Sequence, residues 1–130
     1  MPVNPNPSGV HHIGLRSMDF SRTKHFYQEI MGFKLIVNSQ DLIIFQTGQV
    51  YIAFKLASPT NREGSIFTPF NVGLDHIALT CDSEEELSRL AAALDIEGVD
   101  HTGIKLDPAQ KKKYIAFKDP DRIQWEFYMK

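Results

Sequence analysis

Two histidines occupy the same place in two copies of one short segment, Gly-Val-His-His-Ile-Gly-Leu at positions 9 to 15 and Gly-Leu-Asp-His-Ile-Ala-Leu at 73 to 79. His76 follows His12 by 64 positions, about half of the 130 residues, so the chain reads as two copies of one module. A histidine set identically on two equivalent strands is what a metal site built between modules requires. A carboxylate completes the set. Glu126 lies in Ile-Gln-Trp-Glu-Phe-Tyr, where apolar and aromatic neighbours would penalise an unpaired charge by several kcal/mol or hold it neutral. Two imidazoles and one carboxylate form a common divalent-ion set, either a three-ligand zinc site with an open position or the facial triad of non-haem iron. Metal ligands are thus expected at His12, His76 and Glu126, with Glu126 also the candidate catalytic group. A strand-end glutamate facing solvent or bonded to a lysine fits the raw sequence equally well.

The register of the carboxylate depends on which hairpins are matched. Tyr-Ile-Ala-Phe-Lys occurs at 51 to 55 and again at 114 to 118, but the first copy follows a Thr-Gly turn and the second precedes an Asp-Pro-Asp turn. Matching the hairpins by their turns sets Val50 against Ile123 and therefore Ala53 against Glu126, 73 positions apart. The histidines are duplicated and the carboxylate is not. His11 aligns with Asp75, and strand alternation would turn it away from the face that His12 uses. His25, on the first helix, and His101, in a connection, are expected to be exposed and not ligating.

These residues need a scaffold, and turn and cap signals outline one. Residues 10 to 16 read as a strand; Asp19 caps a helix with apolar positions Phe20, Thr23, Phe26, Tyr27 and Ile30, which Gly32 stops. Strands follow at 33 to 37, 42 to 46 and 50 to 56, with Thr47-Gly48 as the tight turn. The proline- and glycine-bearing stretch 57 to 72 is the linker, in which Phe67 and Phe70 are expected to cover a core edge. From 73 the order repeats: a strand to Thr80, a helix opened by the capping box Ser83 and Glu86 with the stripe Leu87, Leu90, Ala91, Leu94, and strands near 103 to 106, 114 to 118 and 123 to 129. The fold class is α+β, two βαβββ modules (about 9–56 and 73–130) sharing one domain over 1–130, because neither half alone buries a sizeable core.

Composition narrows the partners. A net charge of −2 gives no general attraction to nucleic acid or anionic membranes, and no apolar run approaches the roughly 18 residues of a spanning helix. The single cysteine, Cys81, cannot form an internal disulfide, and no secretion signal is apparent, so a cytoplasmic location is expected. Cys81 reads as a packing residue, and the run Lys111-Lys112-Lys113 as a solvated loop.

His-His-Ile-Gly-Leu, the helix from Asp19 through Phe26 and Tyr27 to Gly32-Phe33, Asp75-His76-Ile-Ala-Leu, and Phe117-Lys-Asp-Pro-Asp-Arg-Ile-Gln-Trp-Glu126 together resemble the vicinal oxygen chelate superfamily. That group holds glyoxalase I, the extradiol dioxygenases and the fosfomycin and bleomycin resistance proteins. The resemblance runs from Gly9 to Met129. It implies paired modules whose mixed sheets curl into a cup, a divalent ion (zinc, iron, manganese or nickel) at the cup floor on residues matching His12, His76 and Glu126, and a lyase, dioxygenase or thiol transferase activity. Glyoxalase I and methylmalonyl-CoA epimerase carry a fourth ligand where this chain has Ala53. A small residue there resembles the three-ligand arrangement of the fosfomycin enzymes and extradiol dioxygenases. The loop Lys105 to Lys113 lacks the potassium-binding stretch of the fosfomycin enzymes, and Arg122 stands where the common turn has glycine.

The resulting expectation is a small divalent-metal enzyme acting on a vicinal-oxygen metabolite or xenobiotic. The alternative is a metal-free, ligand-sequestering protein of the bleomycin-resistance kind. By strand alternation Gly14, Arg16, Tyr51, Lys55, Gln124 and Tyr128 share the ligands' face and are the candidates to line the pocket. Arg16 and Lys55 suit a substrate carboxylate or phosphate, or are solvated strand-edge charges. The resemblance further implies a homodimer in which His12 of one chain joins His76 and Glu126 of the other.

Overall fold

The computed structural model describes residues 1–130 as two compact units, Met1–Ser65 and Ile66–Lys130. In the first, β1 (Ile13–Ser17), α1 (Phe20–Lys24), β2 (Lys34–Asn38), β3 (Ile43–Thr47) and β4 (Val50–Leu56) form a four-stranded sheet in the order β1-β4-β3-β2. The second repeats it with β5 (Ile77–Cys81), α2 (Glu84–Ile96), β6 (Lys105–Asp107), β7 (Lys112–Lys118) and β8 (Gln124–Met129), ordered β5-β8-β7-β6. Each unit is a βαβββ module of the α+β class. Its first strand runs parallel to its last and the other pairs are antiparallel.

Alternation divides each sheet into an apolar and a polar face. In the first unit Ile43, Phe45, Ile52 and Phe54 are fully buried. They meet Tyr27, whose ring centroid lies 5.0 Å from Phe54 and 5.5 Å from Phe45, distances at which aromatic rings attract beyond their burial. Tyr27 reaches them by a departure from the expected helix. Asp19 caps α1, accepting from the Ser21 amide at 2.8 Å, but from His25 to Ile30 the backbone widens into a π-helical turn, with the Met31 amide donating to the Phe26 carbonyl at 2.8 Å. The wider turn lets two sequence neighbours, Phe26 and Tyr27, both face the core.

In the second unit α2 buries Leu87 and Leu94 over a sheet face of Ile77, Ile115, Phe117, Trp125 and Phe127. Ser83 caps α2 by accepting from the Glu86 amide at 3.1 Å, while the Glu86 carboxylate turns outward to Arg89 and does not close the expected capping box. His101 departs from the exposed position expected of it. Its side chain is 11% exposed, its Nδ1 accepts from the Gly103 amide at 3.0 Å, and Nε2–H is thereby left to donate to Asp95 at 2.6 Å, tying the end of α2 to the sheet.

The turns depart in smaller ways. The β3–β4 turn pairs Thr47 with Val50 across Gly48 and Gln49, one residue later than Thr47-Gly48. Phe67 is half-buried, its amide bonded to the Asp121 carbonyl, but Phe70 is 92% exposed and covers no core edge. Lys112 and Lys113 open β7, and Lys113 pairs with Glu84 at 2.8 Å. The run is thus part strand and not wholly loop. No helix is long and apolar enough to cross a membrane.

Candidate metal centre

Sheet pairing fixes both offsets read from the sequence. Ile13 pairs with Ile52 in the first unit and Ile77 with Trp125 in the second. Ile13 and Ile77 are 64 positions apart, and Ile52 and Trp125 are 73 apart. Ala53 and Glu126 are therefore equivalent. Ala53 lies between Gly14 and Ile44, and Glu126 between Ala78 and Ala116. Small neighbours leave the carboxylate room on its own face.

His12 and His76 each stand one residue ahead of their strands, which begin at Ile13 and Ile77. The expectation that they lie within strands is corrected by that residue, and the alternation argument against His11 goes with it. Outside the pleat, His11 and His12 approach each other, Nδ1 to Nδ1, at 2.9 Å, and the His11 ring stacks at 6.5 Å on Tyr51.

In the second unit two ligand candidates meet. His76 Nε2 lies 3.4 Å from Glu126 Oε1, and His76 Nδ1 lies 2.6 Å from the Asp75 carboxylate. Asp75 accepts the Nδ1 proton, which leaves the Nε2 lone pair turned toward Glu126. This is how carboxylates orient metal-ligating histidines. The Glu126 side chain is only 13% exposed. Burial pushes its carboxyl above the ordinary range, His76 partly offsets that, and Asp107 adds to it. A buried carboxylate with no full counter-charge is the electrostatic setting a cation relieves.

The donor geometry fits a metal ion. Two ligands each about 2.0–2.1 Å from one tetrahedral ion stand about 3.4 Å apart, and His76 Nε2 and Glu126 Oε1 have that separation. Within neither unit do three His, Cys, Asp or Glu side chains converge, so each unit alone supplies an incomplete set.

The other expected pocket residues divide between the units. Arg16 and Lys55 pair across β1 and β4 and are exposed, with Arg16 Nη1 donating to the Leu56 carbonyl at 2.9 Å; Tyr51 lies under His11. Gln124 and Tyr128 flank Glu126 on the same face of β8, both half-buried. Asp107 was missed. Its carboxylate accepts from the Tyr128 hydroxyl at 2.7 Å, while Tyr128 stacks on Tyr114 at 6.0 Å. Burial and this bond push the Tyr128 hydroxyl up to about 12, and the same bond holds the Asp107 carboxyl below its usual range. Only the acid three residues after Ile104, placed opposite Lys112, could have hinted at it. Cys81 is buried, its thiol pushed up by that burial, in keeping with a packing role.

The family described as Glyoxalase/Bleomycin resistance protein/Dioxygenase superfamily matches residues 9–127. The chain is 30% identical over 129 residues to the uncharacterized protein YaeR of Escherichia coli (strain K12), covering 92% of this chain and 94% of the other. It is 26% identical over 123 residues to the metallothiol transferase FosB of Lysinibacillus sphaericus (strain C3-41), covering 92% and 80%. Among solved structures, the glyoxylase/bleomycin resistance protein/dioxygenase domain from Frankia sp. EAN1pec superposes with a TM-score of 0.81 at 24% identity, over 95% of this chain and 93% of that one.

Proposed function

Because the chain belongs to the glyoxalase/bleomycin resistance protein/dioxygenase superfamily, we propose that it is a divalent-metal-dependent enzyme acting on a small, oxygen-rich metabolite or xenobiotic, with His12, His76 and Glu126 as the ligands. The observation that carries this reading is the pair His76 Nε2 and Glu126 Oε1, 3.4 Å apart, with Asp75 fixing the histidine tautomer. The name of the relative FosB, a metallothiol transferase, supports metal-dependent chemistry on this scaffold. When bound, the ion would act as a Lewis acid on substrate oxygens.

The chain's own groups do the rest. Asp75 accepts from His76 Nδ1–H and so keeps the Nε2 lone pair free to ligate. Glu126, between Ala78 and Ala116, sits where a substrate can approach without clashing with a neighbouring side chain. Ala53, in the equivalent place of the first module, contributes no fourth ligand and leaves coordination positions for water or substrate. Tyr128, whose hydroxyl donates to Asp107, keeps its oxygen lone pairs to accept a hydrogen bond from a substrate.

Each unit alone holds fewer than three ligands, so the reading includes assembly of the site from both modules of one domain, within one chain or across a homodimer. The second reading is a metal-free protein that sequesters a small ligand. Metal analysis of protein purified without chelators and reconstituted with zinc, manganese, nickel or ferrous ion separates the two. The enzyme reading expects stoichiometric uptake that His76→Ala abolishes. Absence of stoichiometric metal from both proteins would leave the sequestering reading.

A further inference from the structure

We propose that His11 is a positioning residue for the metal site: it accepts a hydrogen bond from Nδ1–H of His12 and so holds His12 in the tautomer whose Nε2 can ligate, the part Asp75 plays for His76. The inference deepens the proposed function and rests on that reading for the ion that His12 would hold. The two pairs are equivalent by position. Asp75 follows His11 by the same 64 positions that separate Ile13 from Ile77. Each pair stands just ahead of its strand and follows a glycine in a conformation that other residues rarely adopt, φ 150° at Gly9 and 135° at Gly73. In each pair the earlier side chain engages Nδ1 of the later ring: the Asp75 carboxylate lies 2.6 Å from His76 Nδ1, and His11 Nδ1 lies 2.9 Å from His12 Nδ1.

A hydrogen bond between two ring nitrogens needs one N–H and one lone pair, and a neutral imidazole has one of each. With Nδ1 of His12 taken up by His11, Nε2 is the nitrogen left to His12 for a metal. It offers a lone pair only when Nδ1 carries the proton. That direction makes His11 the acceptor, with its own proton on Nε2. Both rings are exposed, so water competes for the bond. The Tyr51 ring, 6.5 Å from that of His11 and 24° from parallel to it, steadies the acceptor. A neutral nitrogen accepts less strongly than the Asp75 carboxylate, which makes His12 the more loosely oriented of the two histidines.

Long-range nitrogen-15 spectra of the imidazole rings in metal-free protein test the assignment, with His12 identified by its loss in His12→Gln. His12 is expected to carry its proton on Nδ1. His11→Phe keeps a ring to stack on Tyr51 but loses the acceptor, and it should move that proton to Nε2. His11→Asp, which copies the second module, should keep it on Nδ1. Chelator competition on the same proteins should show metal affinity weaker by about tenfold or more in His11→Phe and no weaker than wild type in His11→Asp. A merely structural ring at position 11 would be replaced by phenylalanine without moving the tautomer. His12 protonated on Nε2 in the wild type, a tautomer that His11→Phe leaves unchanged, or an equal, measurable metal affinity in His11→Phe and wild type overturns the proposal. A wild type that takes up no metal while the His12 tautomer follows residue 11 as expected refutes the enzyme reading and supports the positioning role.

Discussion

His76 Nε2 faces Glu126 Oε1 across 3.4 Å on the polar face of the second sheet. The pair joins a free imidazole lone pair to a carboxylate that burial pushes upward, so without a cation the arrangement costs stability. A folded-state value raised above the unfolded one favours the protonated form. The associated stability is fully present below the unfolded value, near 4.5, and is lost as pH rises through the raised folded value. In metal-free protein Glu126→Gln should remove that loss, raising stability at pH 7 by roughly 1 kcal/mol while abolishing metal uptake. Denaturant midpoints measured in chelator from pH 4 to 8 should separate for the two proteins as pH rises. Parallel curves would refute the assignment of this cost to Glu126.

Asp75 acts at one remove. Its carboxylate lies 2.6 Å from His76 Nδ1 and is itself 67% exposed, so Asp75→Asn should leave the fold intact. It should weaken metal affinity about 10- to 100-fold, the usual cost of losing the group that orients a ligating histidine. Competition with a chromogenic chelator gives the measurement. An unchanged affinity would show that the tautomer is set elsewhere.

The paired offsets of 64 and 73 are legible in the sequence because strands repeat every two residues and turns fix where they begin, which sets Ile13 against Ile77 and Ile52 against Trp125. What was not legible has physical causes. The burial of both Phe26 and Tyr27 depends on a π-helical turn, which a period of 3.6 does not anticipate. The meeting of His11 with His12 depends on β1 starting at Ile13, and strand ends are the least determined by pattern. The bond from Tyr128 to Asp107 joins residues 21 apart on strands that are not neighbours in the sheet, a relation that no local signal carries.

The Asp107–Tyr128 bond should appear in two titrations. The Tyr128 hydroxyl is pushed up to about 12, so its contribution to stability is complete below the ordinary value of 10.0 and lost between there and 12. Asp107 is shifted down, and its contribution is present above 3.8 and lost as pH falls through the lowered folded value. Ultraviolet titration of tyrosinate should show a late step near pH 12 that Tyr128→Phe deletes and Asp107→Asn moves toward 10.0. A late step surviving in Tyr128→Phe would assign it to another of the four tyrosines.

Arg122 holds a backbone φ of 69°, a left-handed conformation that costs an L-residue about 1–2 kcal/mol. The β7–β8 hairpin imposes it. The Asp119 carboxylate accepts from the amides of Asp121 at 2.9 Å and Ile123 at 2.8 Å, and the Arg122 amide donates to the Asp119 carbonyl at 2.9 Å. The turn thus keeps the shape a glycine would give it and stores the strain in the arginine backbone. Arg122 is exposed, so its replacement opens no cavity. Arg122→Gly should relieve the strain and give back part of the gain through the greater freedom of glycine in the unfolded chain, for a net stabilisation of about 0.5 kcal/mol. Arg122→Val, with a branched side chain in the same conformation, should destabilise by more than about 1 kcal/mol. Chemical denaturation of both variants checks the order, and a glycine variant less stable than the valine one would show that the arginine side chain, and not its backbone, governs this turn.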